Sequence, residues 1–257
     1  MKEHRAHIIA LLEKGKRHDG REPMAYRPIT VEINPLPRGN NARVRIGKTE
    51  VIAGVKLGVN TPYPDTPEEG TLMVNAEMPP MANPDFEPGP PRPEAVELSR
   101  VVDRGIRESG CIDFGKLCIT PKEKVWTVFV DIYPINDDGN LLDAAALAAV
   151  AALNNTVFPE YDEETCLVNY KKYTKKKLVL EFIPILTTFA KVGNFVFADA
   201  DLMETRSYDA RISFSSLPDG KIAAMQKGGT GTFTEEEVLN LVDAAIEHGK
   251  ELRKLLE

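Results

Sequence analysis

The sequence predicts an α+β protein in two parts, each a small sheet carrying its helices on one face. Two stretches carry that prediction. The first is residues 127–155, TVFVDIYPINDDGNLLDAAALAAVAALNN: a strand, the turn run Asp137-Asp138-Gly139-Asn140, then a helix of almost pure Ala and Leu from 141 to about 153. A helix apolar all round must be buried, here against a sheet. The second is the C-terminal stretch KGGTGTFTEEEVLNLVDAAIEHGKELRKLLE. There a glycine-bearing turn leads into a helix opened by Thr234 and Glu237 as a capping box. Each part therefore holds several strands, a glycine-bearing turn and a strong helix, although no clear repeat is visible.

In chain order, residues 3–14 read as a short helix grouping Ile8, Ile9, Leu11 and Leu12, and RHDGR at 17–21 as a turn. Strands follow at 26–34, 43–46 and 50–59, the last two separated by Gly47-Lys48 at hairpin spacing. Residues 60–93 hold ten of the 19 prolines and are interrupted by one strand at 70–76; the stretch around 79–93 reads as a surface loop. A helix is predicted over 94–109. Leu98, Val101, Val102 and Ile106 form its apolar face, and Arg100, Arg104 and Arg107 lie opposite. By itself such a charged face is a solvated face. Strands are predicted at 112–118 and 125–133, and an acidic loop at 154–165. The basic run Lys171, Lys172, Lys175, Lys176 and Lys177 reads as a solvated hairpin or linker. The boundary between the parts falls near 170–180, giving parts of 1–175 and 176–257. The second part has strands at 177–184, 186–192, 195–200, 208–215 and 221–226. Leu239, Val242, Ala245 and Ile246 supply the apolar face of the last helix.

Composition narrows the function. The chain has 257 residues, 42% hydrophobic and 28% charged, as ordinary soluble proteins do. It has no apolar run near 18 residues, so no membrane span is expected, and its start is too charged for a signal peptide. Cys111, Cys118 and Cys166 have no CxxC spacing, which speaks against zinc and for a reducing, cytoplasmic compartment. A net charge of -7 excludes coating nucleic acid by bulk charge, so any such contact needs a local cluster. Gly229-Thr230-Gly231 lacks the third glycine of a dinucleotide fingerprint, because Thr234 stands there, and the chain ends before an acidic partner strand. There is no Walker loop, HExxH or nucleophile elbow. The four histidines lie near the two ends, so a histidine acid/base centre is not expected.

Taken together, six stretches resemble the RNase PH family of phosphate-dependent exoribonucleases. They are RHDGR followed by Arg27; LPRGNNARVRIGKTEVIAGVKLGV; ELSRVVDRGIR; DDGNLLDAAALAAVAAL; DADLMETRSYDARISFS; and MQKGGTGTFTEEE. Their order and spacing, spanning residues 17–237, are specific where each alone is weak. The resemblance implies a first half like ribosomal protein S5 domain 2 and a smaller RNase PH domain 2-like half, both of βαβ type. The detail is most similar to the archaeal exosome ring subunit that lacks its own active site.

The resemblance also implies what the site has lost. Active members carry Asp-Gly-Gly-Thr-Arg-Thr-Ala-Ala at the central turn, where a hydroxyl residue and an arginine hold the attacking phosphate. Here Leu141 and Leu142 stand in those places. A leucine donates nothing to a phosphate dianion, and Asp143 is expected to repel it. Active members also carry two aspartates six residues apart that bind metal. Asp209 matches the second, but Met203 stands at the first, and methionine is no ligand for a hard cation. Glu204, beside it, is out of register. The implied chain is catalytically silent, with no cofactor of its own; inorganic phosphate and Mg²⁺ belong to a catalytic paralogue's site. The implied assembly is a hexameric ring of three heterodimers with RNA-binding cap subunits, threading single-stranded RNA. The family's E-(I/L)-x-R-x-x-x-R pattern, here Glu97, Leu98, Arg100 and Arg104, faces RNA, and Arg43 is a weaker candidate. The alternative is a phosphorolytic exoribonuclease active in its own right.

Overall fold

A computed structural model describes residues 2–256. The first sheet has the order β1 (Ile29–Ile33), β2 (Asn40–Ile46), β3 (Thr49–Asn60), β6 (Lys124–Asn136), β4 (Thr71–Ala76), with the short β5 (Cys118–Thr120) also beside β6. All its pairings are antiparallel except β4 with β6, which are joined by helix α2 (Pro93–Arg107) in a β-α-β unit. The second sheet is wholly antiparallel, in the order β10 (Phe195–Ala198), β9 (Ile185–Val192), β11 (Ala210–Ser216), β12 (Ile222–Gly229). Between the sheets in sequence stands a separate hairpin, β7 (Val157–Asp162) with β8 (Leu167–Lys177). The remaining helices are α1 (Lys2–Leu12), α3 (Leu141–Asn154), α4 (Leu202–Thr205) and α5 (Glu235–Arg253).

Period-two alternation places the first core. Ala42, Val44 and Ile46 of β2, Val51, Ala53 and Val55 of β3, and Val128, Val130 and Ile132 of β6 all turn inward and are buried. They meet α3, which packs against β2 and β3 on one side and β9 on the other. Helix α3 is therefore enclosed by two sheets. That is why every residue from Asp143 to Leu153 is buried and why alanine, which lets backbones approach, fills the helix. The predicted burial against a sheet holds, with a second sheet added.

The second sheet departs from the expected arrangement. Its one face, with Phe189, Ile212 and Phe214, packs on Leu241 and Ala245 of α5. Its other face, with Thr188, Ser213 and Ser215, looks toward α2 and α3. Helices from both parts thus cover this sheet on both faces. The N-terminal helix also crosses over: Ile8 and Leu12 pack with Val192 and Phe197 of the second sheet.

Several elements differ from the sequence reading. Residues 112–117 are not a strand but a bridge residue followed by a 3₁₀ turn at Phe114–Leu117, where the Asp113 carboxylate accepts from the Gly115 N–H at 3.1 Å; only Cys118 enters a strand, the short β5. Of residues 177–184, Lys177 ends β8 and the rest keep only a bridge from Leu180 to Ile112, since their backbone groups are used by Thr156, Cys111 and Arg253. The acidic loop 154–165 contains β7. Leu239 is exposed at 60%, and Leu241 takes its place on the buried stripe of α5. The short α4 escapes the sequence reading, although Asp201 and Glu204 give it a full capping box. The capping box at Thr234 and Glu237 is present as read.

Candidate functional site

The turn between β6 and α3 is held from behind. Gly139 has φ 86°, and a Cβ on it would lie 2.5 Å or less from the backbone of Ala200 and Asp201, so only glycine lets the two parts touch there. Asn140 follows in the left-handed region at φ 54°, which its short polar side chain tolerates. Thr49 donates its hydroxyl to the Gly139 carbonyl at 2.6 Å, and Arg27 donates to the carbonyls of Asp138 and Gly139.

Behind the turn lies a buried ionic web. The Asp199 carboxylate, fully buried, accepts from Arg27, Arg21 and Asn140. Burial alone would raise its pKa, but the Arg27 guanidinium holds it below the ordinary range. Arg17, also buried, bonds Glu204 and the carbonyls of Ala198 and Asp199. The RHDGR segment and Arg27 therefore clamp the second part to the turn. Glu204 belongs to this clamp, 1% exposed, and is no substitute for a metal ligand.

Asp143 differs from its expected part. It does not face a ligand; its carboxylate turns inward, accepting from Tyr26, Asn140 and both the N–H and hydroxyl of Thr188. Burial pushes its carboxyl up to about 6.

In front of the turn opens a cleft of about 180 Å³. Leu141 and Leu142, half-buried, line it with Leu98, Tyr208 and Ala200. Its charged lining is Glu94 and Glu97 from α2, Asp137 from the turn and Arg211 from β11. Arg211 is ion-paired with Glu97 at 2.5 Å and packed flat on Gly228. Leu141 and Leu142 offer no side-chain donor at the start of α3; of the hydroxyl residues in the lining, Thr188 spends its proton on Asp143, and the one cation, Arg211, is paired with Glu97, so the helix end that could cradle an anion is covered by two leucines beside an acidic wall.

The structure brings Leu141 and Leu142 together in this cleft but not Asp209. At the lip of β11, Asp209 turns away to accept from the Gly193 N–H at 2.7 Å and to pair with Arg5 at 2.8 Å. The side chain of β11 that enters the cleft is Arg211, which the sequence reading missed. The expected remnant metal site is thus split: Met203 is exposed, Asp209 is committed to Arg5, and these donors do not fit a divalent cation. Among the described residues no three His, Cys, Asp or Glu side chains come together as metal ligands.

On α2, Arg100 and Arg104 are exposed, and among the described residues neither has a carboxylate partner. Arg107 pairs with Asp103 at 2.7 Å and donates to the Leu72 carbonyl. Arg43 is not brought to that face. It alternates with the buried Ala42 and Val44, so it stands on the outer face of the first sheet, ion-paired with Glu32 and Glu50 at 3.3 Å each.

Residues 25–159 match the first domain of the 3′ exoribonuclease (RNase PH) family and residues 183–248 its second domain. The chain belongs to the RNase PH family. Among its relatives is the exosome complex component Rrp42 of Methanosarcina acetivorans, 44% identical over 250 residues, covering 97% of this chain and 91% of that protein. Rrp42 of Pyrococcus horikoshii is 43% identical over 98% of this chain and 93% of its own length. Among solved structures, a chain of the Archaeoglobus fulgidus exosome with RNA bound to the active site superposes with a TM-score of 0.91 at 40% identity, covering 100% of this chain and 98% of that one. The two-part RNase PH architecture read from the sequence is the architecture of the molecule.

Proposed function

We propose that this chain is a subunit of the exosome ring in 3′-to-5′ RNA degradation, that it performs no phosphorolysis itself, and that it completes a ring with a catalytic RNase PH-like paralogue. The relatives named as exosome components, at over 40% identity across nearly the whole length, support the ring role.

One observation carries the silent role: Leu141 and Leu142 close the start of α3, where the attacking phosphate would need donors. Phosphorolysis is mostly positioning and charge stabilisation, and a dianion gains neither from two leucines facing Glu94, Glu97 and Asp137. Phosphate and Mg²⁺ are assigned to the paralogue. Arg100 and Arg104 are assigned to RNA, because two unpaired guanidinium groups one turn apart suit consecutive phosphates. Arg43, neutralised by two glutamates, is a minor contributor at most.

Mixing the chain with its catalytic paralogue tests this reading. The mixture should release nucleoside diphosphates from the RNA 3′ end. Asp209→Ala in this chain should leave most of that turnover, whereas loss of the paralogue's metal-binding aspartates should abolish it. Turnover that survives the paralogue's inactivation but not Asp209→Ala would reverse the assignment.

A further inference from the structure

The β7–β8 hairpin is the part of the molecule that neither core nor cleft explains. Ten of the eleven residues of β8, LVNYKKYTKKK, are exposed; only Val168 is half-buried. A strand that buries only one residue in part gains little packing energy, and a lone two-stranded hairpin is marginal. It is tethered through β7 instead, where Phe158 and Tyr161 pack edge-on against Trp126. Yet its outer strand crowds Lys171, Lys172, Lys175, Lys176 and Lys177 into seven positions of a chain whose net charge is -7. Like charges this close repel one another. Among the described residues, only Lys172 has a carboxylate within reach, Glu160 at 3.8 Å. Of the tip acids, Asp162 is turned to the N–H groups of Glu164 and Thr165. Lys176 lies over the Phe158 ring at 4.7 Å, which neutralises nothing, so most of the positive charge is left for something outside the chain.

One aromatic ring, Tyr173, sits within this run and another, Tyr170, just before it. Tyr170 and Tyr173 are 43% and 40% exposed, large values for rings. Tyr170 carries Lys56 of β3 on one face at 4.8 Å, extending the cation cluster onto the first sheet. Lysines with interleaved accessible rings fit an unpaired polynucleotide, whose phosphates meet the cations while its bases stack. A duplex hides its base faces.

We propose that the β8 face, Lys171 to Lys177 with Tyr173, is a second binding surface for single-stranded RNA, separate from the Arg100 and Arg104 face. It lies by Lys124 and Trp126, at the opposite end of β6 from the central turn. Thirteen residues of strand put roughly 40 Å between the two ends. The surface holds RNA at a distance from the cleft and raises its local concentration at the ring. The choice of RNA as ligand rests on the ring role proposed above; the binding test does not depend on whether this chain is catalytic.

The experiment uses the full-length chain, alone and in the assembled ring, with a fluorescent unstructured oligoadenylate of about 30 nucleotides. The variant K171Q/K172Q/K175Q/K176Q changes only exposed side chains, and its unchanged melting temperature serves as the folding check. Its affinity should fall about tenfold or more at low salt. The slope of log affinity against log salt should flatten by about 0.7 for each phosphate that the variant no longer neutralises. Tyr173→Ala should weaken binding about fivefold or more with the salt slope unchanged, the mark of stacking rather than charge. Unaltered affinity and slope in the lysine variant, in both chain and ring, would overturn the proposal. So would lysine-dependent binding to vesicles of anionic phospholipid or to polyglutamate that equals the binding to RNA, with Tyr173→Ala neutral.

Discussion

Arg27 holds Asp199 with three N–H donors: its backbone N–H at 2.8 Å, Nε at 2.9 Å and Nη2 at 2.8 Å. The same guanidinium donates to the carbonyls of Asp138 and Gly139, so one side chain fixes the central turn and joins it to the second part. Arg27→Ala should therefore cost about 3–5 kcal/mol of unfolding free energy, because Asp199 would stay buried without its main cation. Asp199→Ala made in the same background should add far less than it costs alone. Denaturant titration of the four proteins in the cycle checks this, and additive losses would mean the pair is not coupled.

The two buried carboxyls behind the turn titrate in opposite senses. Asp143 is pushed up to about 6 by burial, above an ordinary value near 4. The native state thus binds the proton more tightly than the unfolded chain. Its contribution is fully present below about pH 4 and is lost as pH rises through about 6, a change of roughly 3 kcal/mol. Asp199, held low by Arg27, contributes above the ordinary carboxyl range and loses that contribution as pH falls below it. Asp143→Asn removes the first effect only. Its unfolding free energy relative to the parent should rise between pH 4.5 and pH 7; a constant difference would contradict the assignment.

Much of this was legible in the sequence, for identifiable reasons. Period-two alternation gave the first sheet, and the Ala/Leu run gave α3, because burial on all sides forbids polar residues. Sequence spacing could not show that a second sheet covers α3, since that contact is with β9, some 31 to 51 positions further along the chain. The side of Asp209 was equally hidden. It is chosen by Arg5 and the Gly193 N–H, one from the N-terminal helix and one from the β9–β10 turn, whereas Arg211 reaches the cleft because it shares the strand face of Ser213 and Ser215. RHDGR looked like a turn because its two arginines, with Arg27, reveal a clamp only when Asp199 and Glu204 are beside them. The apolar pattern at 112–117 was overridden by a 3₁₀ turn that Asp113 caps.

Leu147, 4% exposed between the two sheets, tests the layering. Leu147→Asp should prevent soluble folding, because it buries an unpaired carboxylate. A soluble variant with a cooperative melt would mean that this face of α3 reaches water.

Arg100→Ala with Arg104→Ala should weaken RNA binding by the assembled ring without regard to sequence. The salt slope should flatten by about 0.7 for each phosphate left without its arginine. Arg43→Ala, which removes a side chain already neutralised by Glu32 and Glu50, should change affinity little. Equal losses from all three arginines would show that the outer sheet face also meets RNA.

The most direct test is phosphorolysis by the purified chain alone, with RNA, inorganic phosphate and Mg²⁺, after contaminating nucleases are excluded. With Leu141 and Leu142 at the phosphate position and Asp209 bound to Arg5, no nucleoside diphosphate should be released. Phosphate-dependent release of nucleoside diphosphates from the 3′ end by this chain alone would contradict the silent-subunit account and establish it as an exoribonuclease in its own right.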